Sequence, residues 1–440
     1  MSGIVGAIGE CAHEALPKMC KTLAYRGSVH RSLRGELADG MEFAVSALGL
    51  ATLSEESNQH GFAVLASDSN YASYARACIT NSIALKLDRD IIGLRPLFYG
   101  INDTSTLCAF ASERKALWSI GIKKTKRVDP STVVTISGLR DIAVSRKSSS
   151  ALLNKADNAS EPVSGLRNVL ECVLDDVAQE QMGIAFSGGV DSTLLCKLMP
   201  DCASHLNYTV GLPGSHDLKS AQHAARLLNV DLQTIELNAH DLEIFLPTVI
   251  EAIESCNPLD IAIALPFYVL AKQAKAAGFS SILTGQGADE LFAGYSKYAS
   301  LHSTPNDMLN NALERDVLNI ARDNLERDNL AVAPHSLDIV LPYLDPRVVI
   351  FGLALDSTWK LHDGTNKYVL RRVAEQVMPW ELAYRKKKAI QYGTGVTSML
   401  QRLARIKMHQ SNSRGILSLY LRSIAEKQGI LVAHDNKNRC

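Results

Sequence analysis

The stretch Ser187-Gly188-Gly189-Val190-Asp191-Ser192 has the residue types that grip a polyanion. It follows the apolar run Gly183-Ile184-Ala185-Phe186 and precedes Thr193-Leu194-Leu195, so it reads as strand, tight loop and helix. Two glycines without β-carbons let consecutive backbone N–H groups converge, and the positive end of the helix adds to their field. A phosphate fits such a nest. Asp191 has the wrong sign for phosphate unless a divalent ion lies between its carboxylate and the phosphate oxygens, and the hard oxygen donors point to Mg²⁺. The pattern lacks the Gly-Lys-Ser/Thr ending of a Walker loop, and a Gly-Gly turn before a helix can also be only a turn.

The elements that must position this loop alternate. A helix is expected near Val163–Glu180, strands at Leu206–Val210, Leu232–Leu237 and Ser281–Thr284, and helices at Asp217–Leu228 and about 241–254 and 262–277. That rhythm predicts a doubly wound parallel sheet, with ligands at the carboxyl ends of its strands. Three of those ends, 187–192, 210–212 and 284–290, should converge. Before residue 145 the chain instead shows short runs with turn signals: Ile4–Gly9, Phe43–Val45, Phe62–Leu65, Ser82–Leu87 and Val133–Ile136, with a helix about His13–Ala24. These predict mainly antiparallel strands. The expected fold class is α+β followed by α/β: domain 1–145, a polar linker 146–162, and a second domain 163–440.

The chain has 440 residues, 46% apolar and 21% charged, with formal net charge zero. Two cores are therefore expected, and the absence of a basic excess argues against nucleic acid as a partner. Nine cysteines (11, 20, 78, 108, 172, 196, 202, 256, 440) are scattered without Cys-x-x-Cys spacing and read as reduced thiols. No run approaches the roughly 18 apolar residues of a membrane span, and no secretory pattern opens the sequence. A cytoplasmic protein with no membrane partner is expected.

The loop resembles the pyrophosphatase loop of enzymes that split ATP between the α and β phosphates. Together with Val210-Gly211-Leu212-Pro213-Gly214-Ser215-His216-Asp217-Leu218, Thr284-Gly285-Gln286-Gly287-Ala288-Asp289-Glu290-Leu291-Phe292-Ala293-Gly294-Tyr295 and Leu341-Pro342-Tyr343-Leu344-Asp345, in that order, it resembles the asparagine synthetases over roughly 180–395. The first half is similar to that family's glutaminase domain at Met1-Ser2-Gly3-Ile4-Val5-Gly6, Tyr25-Arg26-Gly27, Asp88-Arg89-Asp90 through Tyr99, and Ala111-Ser112-Glu113-Arg114-Lys115. The resemblance implies an N-terminal-nucleophile (Ntn) type antiparallel sandwich, then a pyrophosphatase-loop domain that activates a carboxylate as its acyl-adenylate for attack by an amine.

By that resemblance Ser187, Gly188, Gly189 and Ser192 bind pyrophosphate, and Asp191 and Asp289 hold Mg²⁺. Val210 and Leu212 flank adenine, unless they are core residues, while Thr284 and Gly285 pass beside the nucleotide. Asp217 either meets the ribose or starts its helix. Lys387, in Arg385-Lys386-Lys387-Lys388, matches the family's catalytic lysine. Glu290, Asp345 and Tyr295 are further polar candidates.

Four departures carry consequences. Ser2 replaces the family's nucleophilic cysteine and the Asn-Gly-Glu segment is missing, which predicts a silent glutaminase half. Gln286 replaces a glutamate, so an amide stands where a carboxylate would take a proton. Val340 replaces an arginine near the substrate. The expected cofactors are ATP and Mg²⁺. The expected partners are a small amino acid, with aspartate first, and ammonia or another amine, with a homodimer as the assembly. Two other readings stay open: a ligase or cyclase acting on a different amino acid, and an ATP-binding protein without catalysis.

Overall fold

The computed structural model describes residues 1–37, 40–58, 61–70, 73–80, 85–147, 161–178, 181–201, 203–301, 306–385, 393–409 and 415–433. The chain divides into two compact units, one of Met1–Ser149 with Ala321–Ser336 and one of Ser150–Ile320 with Leu337–Val432.

Among the described residues, the first unit has two antiparallel six-stranded sheets. Its strands are β1 (Ser2–Gly9), β2 (Val29–Glu36), β3 (Glu42–Gly49), β4 (Thr52–Asn58), β5 (Gly61–Asn70), β6 (Ser73–Thr80), β7 (Leu85–Arg89), β8 (Phe98–Ile101), β9 (Leu107–Ala111), β10 (Thr125–Arg127), β11 (Thr132–Ser137) and β12 (Asp141–Arg146). One sheet runs β10-β8-β9-β1-β3-β2 and the other β12-β11-β7-β6-β5-β4. Side chains on successive residues point to opposite faces, so Ile4, Ile8 and Val45 meet Val64, Leu87 and Ile136 of the other sheet. Val5, Ala7 and Leu48 pack on the far face against Leu16 and Met19 of α1 (Ala12–Thr22). This is the expected antiparallel sandwich.

Two boundaries differ from the sequence reading. Ser145 and Arg146 pair with Val133 and Thr132, so β12 reaches into the expected linker, and α2 begins at Pro162 (Pro162–Val177). Residues 148–160 of that linker, and residues 82–84 of the strand expected at Ser82–Leu87, lie outside the described residues. Further, Ala321–Ser336 joins the first unit, although the sequence reading assigns it to the second domain. Its Glu326 pairs with Arg89 and Arg127, Asn329 accepts from Arg26, and the Ser336 hydroxyl donates to the Tyr25 carbonyl.

The second unit carries the five-stranded sheet β15-β14-β13-β16-β17, with all neighbours parallel: β13 is Met182–Ala185, β14 His205–Gly211, β15 Leu232–Glu236, β16 Ser281–Leu283 and β17 Asp338–Val340. β13 is central. The chain winds outward through α3 (Val190–Leu198), α4 (His216–Leu228) and β15, then crosses through α5 (Ala239–Ile253) and α6 (Pro258–Ala276) to β16 on the other side. The strand order therefore reverses between β13 and β16, and a doubly wound sheet opens its ligand crevice there. Asn238 caps α5 in a reciprocal capping box with Asp241, and Asn257 caps α6 ahead of Pro258. No single described helix is long and apolar enough to cross a membrane; α5 and α6 pass that test only together, bent by 106°.

Candidate active site

The loop leaving β13 is shaped by contacts that exclude side chains. Gly188 has φ +70°, and a β-carbon there would lie 2.4 Å from the Ser220 carbonyl oxygen, so only glycine fits. The Ser187 N–H donates to the Ser192 hydroxyl at 3.2 Å, which lies 3.2 Å from the Ser187 hydroxyl, and the Gly189 N–H points to Ser187 Oγ at 3.4 Å. The hydroxyls thus gather around the loop amides at the start of α3, where an anion would be held.

The facing wall is the segment after β16. A β-carbon on Gly285 would approach Asp191 Cβ to 2.9 Å, so the bare backbone lets the strand end lie against the first turn of α3. Thr284 is buried, and its hydroxyl accepts from the Gln286 N–H at 3.2 Å. Asp191, 3% exposed, and Asp289 converge as the sequence reading expects. Between them is a cation that the sequence reading does not single out. Lys367 Nζ lies 2.8 and 2.7 Å from the two Asp191 carboxylate oxygens and 2.7 Å from Asp289 Oδ1.

Lys367 is held from several sides. Its backbone lies in the left-handed region with φ 54°, ahead of the helix Tyr368–Ala374. Arg371 donates to the Asn366 carbonyl (2.8 Å) and side chain (3.0 Å), and Asn366 Nδ2 donates to the Gly294 carbonyl at 2.7 Å. A β-carbon on Gly294 would sit 1.9 Å from Asp289 Oδ1 and 2.2 Å from Lys367 Cε, so the pairing needs glycine there. Tyr343, fully buried, donates from its hydroxyl to the Asp191 carbonyl at 3.0 Å and fixes the turn from below.

Three carboxylate oxygens facing one cation position form a hard, anionic donor set that suits Mg²⁺. Among the described residues no group of three or more His, Cys, Asp or Glu forms a metal centre by itself. An ion here would complete its shell with water and with the oxygens of a phosphate ligand, as Mg²⁺ commonly does.

Other candidates are placed less simply. Val210 is 6% exposed at the end of β14, and the Leu212 N–H donates to the Thr394 carbonyl at 2.9 Å, so that amide is engaged by the chain itself. Asp217 packs against Gly393, where a β-carbon would lie 2.0 Å from its Oδ1. Lys387 lies outside the described residues. On either side of it, Arg385 donates to the Ser220 carbonyl at 3.1 Å and Gly393 lies on Asp217, both contacts being with α4. Asp345 caps the helix Pro346–Ala354 by accepting from the Arg347 N–H at 2.9 Å. Glu290 is buried and accepts from the Tyr295 hydroxyl at 2.7 Å. Burial raises its pKa, and the Asp289 charge adds to that despite the Tyr295 bond.

In the first unit Ser2 is 1% exposed and its hydroxyl donates to Asp68 Oδ1 at 2.5 Å, while its carbonyl accepts from Arg26 at 2.9 Å. Arg26 pairs with Glu113, so residues that resemble the glutaminase motifs here bind one another.

The family model for asparagine synthase matches residues 171–308 and 301–428. A putative glutamine-hydrolysing asparagine synthetase of Methanocaldococcus jannaschii is 30% identical over 384 residues, covering 73% of this chain and 68% of that protein. Asparagine synthetase B of Escherichia coli is 25% identical over 407 residues, covering 85% of this chain and 70% of its own length. Since the model takes in the loop at 187–192, the Asp289 segment and Lys367 alike, the chain belongs to the asparagine synthase family.

Proposed function

We propose that this protein is an ATP-dependent, AMP-forming amide ligase. The observation that supports this reading is the meeting of Asp191 and Asp289 on one cation position, at the point where the strand order reverses. ATP lies across that crevice with its phosphates on Ser187, Gly188, Gly189 and Ser192 and its adenine toward Val210 and Leu212, while Thr284 and Gly285 line the opposite wall. A Mg²⁺ held by Asp191 and Asp289 would neutralise charge on the phosphates. A substrate carboxylate oxygen attacks the α-phosphorus, and the bond to pyrophosphate breaks. An amine nitrogen then attacks the acyl carbon, the bond to AMP breaks, and the nitrogen gives up a proton. Lys387 is the cation proposed to meet the leaving pyrophosphate, which gains charge as it departs.

Aspartate is the proposed carboxylate and ammonia the proposed amine. With an amide at Gln286 that side chain cannot take a proton, so the ammonia enters unprotonated, and the proton shed as the amide forms passes to water or to the leaving phosphate. Gln286 and Val340 also favour a second reading, a ligase or cyclase for another amino acid: Val340 is a buried strand residue whose carbonyl accepts from the Thr284 N–H at 3.0 Å. The first unit is proposed not to hydrolyse glutamine, and the enzyme to work as a cytoplasmic homodimer. A screen of amino acids for substrate-dependent ATP–pyrophosphate exchange tests the reading. Exchange with aspartate supports the first version, exchange with another carboxylate the second, and none with any substrate removes both.

A further inference from the structure

Lys367 occupies the position that the proposed metal needs, and two cations cannot share it. A divalent ion bound to the same carboxylate oxygens would lie within a few ångströms of the ammonium, where like charges repel strongly in a buried site. We propose that Lys367 is a displaceable counter-ion, one that keeps the Asp191 and Asp289 carboxylates together before the metal arrives and makes metal entry depend on the nucleotide. This rests on the ligase reading above and adds an order of events to it.

The geometry confines the movement to the end of the side chain. The Lys367 backbone is fixed through Asn366 and Arg371, and its Cε passes through the gap left by Gly294. Only the ammonium can swing. Lys367 is 2% exposed, so an ammonium pushed off both carboxylates by a bare ion would trade two direct ion pairs for the more distant Glu290 carboxylate, which Tyr295 already engages, and that is costly. Nucleotide phosphates brought to the neighbouring loop at Ser187–Ser192 supply a new anionic partner. Metal alone therefore binds weakly, metal with nucleotide binds tightly, and by linkage each ligand strengthens the other by the same factor. Lys367 is a positioning residue in this scheme.

The test measures Mn²⁺ affinity by the loss of the free ion's electron paramagnetic signal, with and without ATP, in wild type and two variants. Lys367→Met keeps the stem and removes the charge. Lys367→Gln also removes the charge but leaves a neutral polar end that can still donate to Asp191 and Asp289, without touching either carboxylate. Both variants are expected to bind Mn²⁺ alone roughly tenfold more tightly than wild type, and to show a smaller gain on adding ATP. A lysine that served only to hold the fold would lower thermal stability without raising metal affinity. If wild type binds Mn²⁺–ATP and neither variant gains affinity for Mn²⁺ alone, the counter-ion role is overturned and the ligase reading stands. If wild type binds no Mn²⁺–ATP, both fall.

Discussion

In the first unit the Glu113 carboxylate lies among Arg26, Lys115 and Tyr25, and Glu326 lies between Arg89 and Arg127; in the second, one ammonium, Lys367, lies between two carboxylates. Most of the donors left over on these arginines end on the protein itself: Arg89 on the Val128 carbonyl at 2.6 Å, and Arg26 on the Ser2 carbonyl at 2.9 Å and the Asn329 side chain at 3.1 Å, while Arg89 Nε has no partner among the described residues. Burial alone would raise the pKa of Glu113, but Arg26 and Lys115 outweigh it and hold the group well below the usual carboxylate range; burial works the same way on Glu326, and Arg127 and Arg89 lower its pKa against it. These clusters take up most of their donors within the protein. The second unit's carboxylates instead stand at the carboxyl ends of parallel strands, beside a helix start and a glycine-lined loop, so their partner can be exchanged for one that the substrate brings. The same residue types make a clamp in one unit and a socket in the other, and what separates them is whether backbone carbonyls or strand ends surround the charge.

The largest effect that could break this contrast is expected at Asp191. Asp191→Asn should lower pyrophosphate exchange on the order of 100-fold or more, the size usual for one preorganised charged group, while the protein stays folded by circular dichroism. Unchanged exchange would take Asp191 out of the site. In the first unit the expected loss is of stability. Glu113→Gln leaves Arg26 buried with a weakened partner and should cost about 3–5 kcal/mol in urea unfolding, with exchange per folded molecule unaltered. The sign with pH follows. A carboxylate with a depressed folded-state pKa contributes its full stability above its unfolded value and loses it as pH falls through the folded one. Wild type should therefore lose this advantage over the variant only in acid, and an advantage that is the same at every pH would count against the ion-pair account.

The socket was half legible in the sequence. The loop at 187–192 is a local pattern, glycines and hydroxyls between an apolar strand and a leucine-rich helix, and Asp289 announces itself by following a strand end. Lys367 has no such surroundings. Its meaning comes from Asp191, 176 residues away, and from a gap at Gly294 that is visible only once the chain is folded. Some of the strands missed by pattern have a local reason. β2 and β4 are edge strands, and the start of β4, Thr52-Leu53-Ser54-Glu55, can be polar because it has one neighbouring strand and its Thr52, Ser54 and Glu55 are exposed. In β6 the buried positions are largely Ala75 and Ala77, too small to mark an alternation. Helical periodicity in Ala321–Ser336 says that a face is buried, not which unit buries it, so its membership of the first unit could not be read from spacing.

Lys360 offers a control within the second unit. It is fully buried like Lys367, but its ammonium donates to the Asn310 side chain at 2.8 Å and the Leu353 carbonyl at 3.4 Å rather than to carboxylates. Burial pulls its pKa down to about 7, against the weaker pull of Asp356. Between that value and about 10.5 the unfolded chain carries a proton that the folded one does not, so stability should rise with pH across the window. Wild type is expected to gain on the order of 2–4 kcal/mol relative to Lys360→Met between pH 7 and 10. A flat difference would mean that this ammonium stays charged in the fold.

The smallest effect is expected at Ser2, where the clamp and the resemblance to a glutaminase make opposite demands. As a nucleophile, Ser2 would need an open hydroxyl facing substrate, and Ser2→Ala would abolish glutamate release while hardly changing stability. As a member of the clamp, it donates to a buried carboxylate that also lies 3.5 Å from Arg95, and its own exposure is 1%. Removing that donor leaves Asp68 short of one hydrogen bond, at a cost of about 1–2 kcal/mol. The expected outcome is a modest drop in the urea midpoint, with glutamate release from glutamine at background in both wild type and variant. Steady release by wild type that vanishes in Ser2→Ala would instead make the first unit a second active site, and the contrast between clamp and socket would no longer hold.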